Sequence, residues 1–157
     1  ALEAGAGLCS IEPFLVDGSR LGLNGWSYGG YMTLYAATRA PGLWKAAVAG
    51  APVTHWKYYD SIYTERYMKL PKENPEGYEA TAPLTHAGKL GPKLLLLHGT
   101  ADDNVHMQNS IAFTDVLNKA HKPYVFTPFA GMKHGPRDPA TRRAVNERIL
   151  SFLEENL

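Results

Sequence analysis

Cysteine is almost missing from this chain. Cys9 stands alone among 157 residues, so no disulfide can form within it and a disulfide-stapled scaffold is excluded. A single thiol says little about compartment. No apolar stretch approaches the ~20 residues that a membrane-spanning helix needs. Charge of one sign is lacking too: Lys and Arg number 16, Asp and Glu 15, and the formal net charge is +1. With no basic run there is no field to gather nucleic acid or an anionic membrane, and neither is expected as a partner. Internal repeats and low-complexity tracts are absent, which argues against solenoids and disordered tails. No secretory leader is visible, but little follows, because the chain reads as beginning in mid-domain. What is present is an ordinary core-burying composition, 45% hydrophobic and 20% charged.

The most informative residues are Gly25-Trp26-Ser27-Tyr28-Gly29. This G-x-S-x-G pattern is that of a nucleophile elbow, a sharp strand-to-helix turn that pushes a serine oxygen out of the protein. The context suits it. Residues 20–24 read as a short buried strand and residues 30–37 as the start of a helix. Glycines two residues either side of the serine are expected where backbone approaches backbone and a Cβ would clash. The following helix N-terminus offers N–H donors and partial positive charge to a developing oxyanion. The plain alternative, a glycine-rich turn with an incidental serine, does not explain the flanking strand and helix.

A serine nucleophile needs a base, and the base an orienting acid, in the chain order Ser, Asp or Glu, His. Residues 93–98 form a continuous apolar run, expected as a strand buried on both faces. It empties into Gly99-Thr100-Ala101-Asp102-Asp103-Asn104-Val105. Residues 124–129 read as another strand, followed by Ala130-Gly131-Met132-Lys133-His134-Gly135. Strand ends are where open α/β sheets place their chemistry. The candidate triad is therefore Ser27, Asp102 and His134, with Asp103 the rival acid. His55, His86 and His121 lack a strand-end context and read as surface or packing residues. His98 reads as a buttress of the acid loop. His98, Asp102, Asp103 and His106 have a weak look of a metal cluster, but without the helical His-x-x-x-His spacing or cysteine pairs of familiar zinc sites. No metal or organic cofactor is expected.

Strands are expected near residues 21–24, 46–49, 93–98 and 124–129. Helices fit between and after them, notably 109–119 and 139–157. The last helix carries an apolar face at Val145, Ile149, Leu150 and Leu153. Residues 1–12 suit the end of a helix and 17–19 a turn. Alternating strands and helices imply a mostly parallel sheet with helices on both faces. Sheets of this kind usually have more strands before the elbow. Residues 1–157 thus read as a single partial domain, the C-terminal portion of an α/β-hydrolase fold.

The extended elbow, Gly25 to Tyr31, resembles the prolyl oligopeptidase family, in its dipeptidyl peptidase IV branch. Two longer segments sharpen the likeness. Trp56-Lys57-Tyr58-Tyr59-Asp60-Ser61-Ile62-Tyr63-Thr64-Glu65-Arg66-Tyr67-Met68 resembles that branch after the elbow helix, and residues 98–106 resemble its acid loop. The resemblance covers roughly residues 13–157. It implies a serine exopeptidase that releases N-terminal dipeptides with proline, or less well alanine, in second position, through an acyl-enzyme. It implies Ser27 as nucleophile, Asp102 as acid, His134 as base and the Tyr28 N–H as an oxyanion donor. Val53, Trp56, Tyr59, Tyr63 and Val105 would line the proline pocket, and Asn104 would bind near the substrate's N-terminal backbone. It also implies a homodimer for the full-length protein and, by itself, favours a periplasmic or extracellular setting. Another serine hydrolase, such as an acylaminoacyl peptidase or esterase, and a non-catalytic binding relative are the alternatives.

Several family features lie outside these residues: the oxyanion tyrosine of an earlier loop, the β-propeller and the glutamate pair that holds the substrate amine. The isolated chain is therefore expected to be inactive. Lys133-His134-Gly135-Pro136 departs from the more acidic sequence of the branch while keeping His-Gly.

Overall fold

The computed structural model describes residues 17–157. The helix end expected within residues 1–12 lies outside the described residues. Four strands form one sheet in the order β1-β2-β3-β4: Gly22–Trp26, Ala46–Gly50, Lys93–Gly99 and Val125–Phe129. All neighbouring pairs are parallel, in registers such as Leu23 with Ala47, Val48 with Leu95, and Leu97 with Thr127. Each expected strand is present within two residues of its expected bounds, but β1, expected to be buried, has Gly22 and Asn24 exposed because it lies at an edge of the sheet among the described residues. Among the described residues five α-helices accompany them: α1 (Tyr28–Arg39), α2 (Ser61–Met68), α3 (Pro75–Thr81), α4 (Gln108–Lys119) and α5 (Pro139–Asn156). Residues 17–20 form the expected turn, with the Arg20 N–H donating to the Asp17 carbonyl at 3.0 Å.

The leucine run of β3 shows how the layers arise. Successive strand side chains point to opposite faces. Leu94 and Leu96 therefore join one core, with Leu34, Phe113 and Leu117 from α1 and α4. Leu95 and Leu97 join the other, with Val145 and Phe152 from α5. Burying each leucine stabilises by about 1.5–3 kcal/mol relative to exposure. In β2 the residues are Ala46, Ala47, Val48, Ala49 and Gly50, all buried. Their small side chains let helices lie close on both faces. Pro128, which cannot donate to a ladder, is tolerated because β4 lies at a sheet edge.

The apolar face of α5 needs one correction. Val145 and Phe152 are buried, and Ile149 and Leu153 pack against them, but Leu150 is 58% exposed. At 3.6 residues per turn, Leu150 lies about 140° round from Val145, whereas Phe152 and Ile149 lie within about 40° of it and Leu153 about 80° away, on the flank of the buried stripe.

The insertion between β2 and β3 was not resolved into elements by sequence pattern. It holds α2, α3 and two 3-10 turns, Trp56–Tyr58 and Leu84–Lys89. Caps define these short helices: Asp60 accepts from the Tyr63 N–H at 2.8 Å and Asn74 from the Gly77 N–H at 3.2 Å. The insertion packs a third cluster, Tyr31, Val53, Trp56, Tyr78 and Val105, above the C-terminal ends of the strands.

The elbow glycines also differ from expectation. A Cβ on Gly25 would overlap the Gly29 backbone, as the close-approach reading requires. A Cβ on Gly29 would meet nothing within 4 Å. The second close approach belongs to Gly30, whose Cβ would strike the Gly50 carbonyl. Gly25→Ala should therefore be far more damaging than Gly29→Ala. The helical Gly29 position should tolerate alanine and gain up to about 1 kcal/mol from reduced unfolded-state entropy. Denaturant melts of the two variants check this, and equal losses would count against the steric account.

Candidate active site

Three strand ends deliver the candidate residues. Ser27 directly follows β1 and holds φ 59°, ψ −118°, in the left-handed half of backbone space. For a residue with a Cβ that geometry costs of the order of 1–3 kcal/mol. It is fastened at both sides: the Ser27 N–H donates to the Gly50 carbonyl at 2.8 Å, and the Ser27 carbonyl accepts from Tyr31 at 2.9 Å. The strain aims the hydroxyl at His134, whose Nε2 lies 2.8 Å from Ser27 Oγ. His134 Nδ1 in turn lies 2.9 Å from Asp102 Oδ2 and 3.2 Å from Oδ1. Since a carboxylate only accepts, Nδ1 carries the hydrogen and Nε2 is left free to accept from the serine.

Of the two neighbouring acids, only Asp102 joins this line. Its side chain is wholly buried, and its Oδ1 also accepts the N–H groups of Asn104 and Val105 at 3.0 Å each. Asp103 is 61% exposed and meets Lys133 Nζ at 2.7 Å. That lysine holds the Asp103 carboxyl below its usual range.

Other contacts lace the acid and base loops together. The Ala101 N–H donates to the Met132 carbonyl at 3.1 Å, and the Gly131 N–H to Thr100 Oγ1 at 2.9 Å. A Cβ on Gly99 would overlap the Met132 carbonyl, so glycine is required where the two loops touch. Trp26 Nε1 donates to the His134 carbonyl at 2.7 Å, tying the base loop to the elbow. That role of Trp26, a variable position of the elbow pattern, was not read from the sequence.

Tyr28 is the first residue of α1, so its N–H is among those with no intrahelical partner. Beside it opens a cavity of about 540 Å³ lined by Tyr28, Tyr31, Trp56, Tyr63, Tyr67 and Met68, among others. Of the expected pocket residues, Trp56 and Tyr63 form its wall. Val53 and Val105 lie behind the rings, buried in the aromatic cluster. Tyr59 packs edge-on against Trp56 and Tyr63, but its hydroxyl donates to Asn104 Oδ1 at 2.8 Å. Together Tyr59 and Asn104 line a neighbouring cleft with Asp60, Asp103 and His106. Tyr31 and Tyr67 complete the cavity and were missed, because one looked like part of the elbow helix and the other the tail of a motif.

The remaining histidines have plain duties. His55 is buried, accepts from the Lys57 N–H and lies 3.2 Å from Glu79. Burial lowers its proton affinity. His86 sits against Arg39, and His121 is exposed. His98 is fully buried between Ser110 and the Val105 carbonyl. Among the described residues no group of three or more His, Cys, Asp or Glu is arranged to hold a metal ion.

Known proteins share this architecture. A Neurospora crassa protein named "Probable dipeptidyl-aminopeptidase B" is 45% identical over 142 residues, covering 88% of this chain and 15% of its own length. Human "Dipeptidyl peptidase 8" is 39% identical over 145 residues, covering 90% of this chain and 16% of its own. The crystal structure of Porphyromonas gingivalis dipeptidyl peptidase 4 superposes with a TM-score of 0.92 at 40% identity, over 99% of this chain and 22% of that one. The chain thus spans about a sixth of the length of these curated relatives. The parallel sheet and its helices are part of an α/β-hydrolase fold. The prolyl oligopeptidase family pattern matches residues 6–157, nearly the whole chain, and the chain belongs to that family.

Proposed function

We propose that this protein is a serine exopeptidase releasing N-terminal dipeptides with proline, or less well alanine, in second position. The observation that carries the reading is the hydrogen-bonded line from Ser27 through His134 to Asp102 beside an aromatic cavity. Ser27 Oγ attacks the carbonyl carbon of the second residue while His134 Nε2 takes the hydroxyl proton. The Tyr28 N–H faces the oxyanion that forms. Collapse breaks the C–N bond, and His134 gives its proton to the leaving amine. A water then attacks the acyl-enzyme, its proton passing to His134 and back to Ser27, and the dipeptide leaves. Asp102 keeps the imidazole in the productive tautomer and stabilises the imidazolium.

The cavity suits proline for a physical reason. The ring is compact and apolar, and the tertiary amide it forms offers no N–H needing an acceptor. Aromatic walls such as Trp56 and Tyr63 contact it without leaving a buried polar group unpaired. Asn104, bonded to the Tyr59 hydroxyl, would bind near the substrate's N-terminal backbone. We also infer a homodimer for the full-length protein. The resemblance supports this, and Ile111, Val125 and Leu150 are exposed apolar side chains on α4, β4 and α5.

In the full-length protein, Ser27→Ala should lower turnover by at least about a thousandfold, and a fluorophosphonate should label Ser27. Asp102→Asn should cost orders of magnitude and Asp103→Asn little. Turnover with both acids ranked in reverse would move the triad acid by one residue. Steady-state assays on prolyl and alanyl dipeptide substrates and on simple esters read all three variants.

The pocket assignment makes a separate demand. Tyr63→Ala should remove ring contacts worth roughly 1–3 kcal/mol, and the loss in kcat/KM should be larger for prolyl than for alanyl substrates. Equal losses for both would mean that Tyr63 only packs beneath the loop, and preference for esters over dipeptides would favour an esterase.

A further inference from the structure

We propose that His98 is a positioning residue for the triad acid, acting with Ser110 to hold the turn that carries Asp102. The inference rests on reading Ser27, His134 and Asp102 as the triad, and adds a buried partner behind it.

The turn from Asp102 to Val105 is closed from two sides. On its inner side Asp102 Oδ1 gathers the N–H groups of Asn104 and Val105. This fixes the carboxylate so that both oxygens lie within 3.2 Å of His134 Nδ1. On its outer side the Val105 carbonyl is 2.8 Å from His98 Nε2. Val105 is thus held on both sides of its Cα, by Asp102 at its N–H and by His98 at its carbonyl. If Val105 shifts, one of the two N–H bonds that orient the carboxylate shifts with it.

The partners of His98 determine its tautomer. A carbonyl only accepts, so Nε2 must carry the hydrogen. Nδ1 is then an acceptor, and Ser110 Oγ, 2.8 Å away, is the donor. His98 and Ser110 are both fully buried, so neither bond can be exchanged for one to water. His98 Nε2 is also 3.4 Å from Asp102 Oδ2. That is not a hydrogen bond, since the N–H is directed at the Val105 carbonyl, but it brings the partial positive charge of the Nε2–H group near the carboxylate. A neutral ring supplies this partial charge without the full charge that would compete with the His134 imidazolium for Asp102. Burial favours the neutral ring, pushing its proton affinity below the ordinary histidine value.

Ser110 is therefore the lever. Without its hydroxyl, Nδ1 becomes a buried acceptor with no donor. The ring keeps its hydrogen on Nε2 for the Val105 carbonyl, but it loses the contact that fixes its tilt, and its grip on Val105 slackens. The turn opens, although no atom of the triad has been changed.

The test uses the full-length enzyme and compares Ser110→Ala, His98→Gln and His98→Leu by steady-state kinetics on a prolyl dipeptide substrate. Fluorophosphonate labelling rate, thermal melting and the low-field proton resonance of the His134–Asp102 pair are read in parallel. Ser110→Ala should lower kcat about tenfold, the equivalent of one lost buried hydrogen bond, with KM within about twofold. The labelling rate should fall in step and the low-field resonance should shift or broaden. His98→Leu should be worse, and His98→Gln should recover part of the loss, since its amide N–H can still donate to Val105. Ser110→Ala with unchanged kcat and resonance but a lower melting temperature would reduce His98 to packing and overturn the proposal. If His98→Leu fails to fold, Ser110→Ala and the resonance still decide. A Ser27→Ala enzyme that keeps its turnover would instead overturn the triad reading itself, a result distinct from normal kcat in Ser110→Ala.

Discussion

A carboxylate with no access to water sits at the end of the central strand, and most of the site follows from what that requires. An ionised group cannot stay buried unless its oxygens are occupied by donors. The Asp102 side chain meets that condition with two backbone N–H groups and the imidazole of His134. The backbone donors force residues 102–105 into a tight turn. The imidazole forces the loop after β4 to cross the end of β3, and Gly99 is the residue that makes the crossing sterically possible. Trp26 then fastens the crossing loop to the elbow. Each contact narrows where His134 can be, and so where the serine oxygen must be to meet it.

The sheet makes this affordable. Four parallel strands bury β2 and β3 on both faces, and the apolar layers above and below hold the strand ends in fixed register. The strained backbone at Ser27 persists because it is bonded to Gly50 on one side and to the first turn of α1 on the other. Stability from the leucine layers is thereby spent at one residue, where it orients a hydroxyl. The same first turn of α4 that offers Ser110 to His98 offers Asn109 to Thr54, at 3.0 Å from the Thr54 N–H. Asn109 Nδ2 reaches the His106 carbonyl at 3.1 Å. The segment leading to the pocket and the acid loop are thus anchored to one buried helix end.

What could be read from the residues was whatever has a short, local signature. The strands were legible because apolar runs of five to seven residues between turn signals have few other uses. The elbow was legible because a strand, a glycine-flanked serine and a helix occur in immediate succession. Gly29 shows the limit: its place in the pattern suggested a steric need, but the close approach turned out to involve Gly30 and a carbonyl 20 residues away. The insertion that carries α2 and α3 resisted reading since its helices are seven or eight residues long and bury few side chains. Its aromatic side chains are explained by one another and by the strand ends they cover, not by any period in the sequence. The supports of the proposed triad were the least legible. Trp26 and His134 are 108 positions apart, and nothing in either segment announces the bond.

Lys133 departs from the family pattern without entering the hydrogen-bonded line of Ser27, His134 and Asp102. The resemblance implies a more acidic sequence around the base, yet here Lys133 is bonded to Asp103 across the two loops. Both partners are half exposed or more, so the pair is screened by solvent and adds little to stability. The main consequence is positional. The ion pair engages Asp103 on the exposed rim, while Asp102 is the carboxylate that meets the imidazole. The departure therefore changes the charge on the rim of the site while preserving the burial that gives Asp102 its hold on the base.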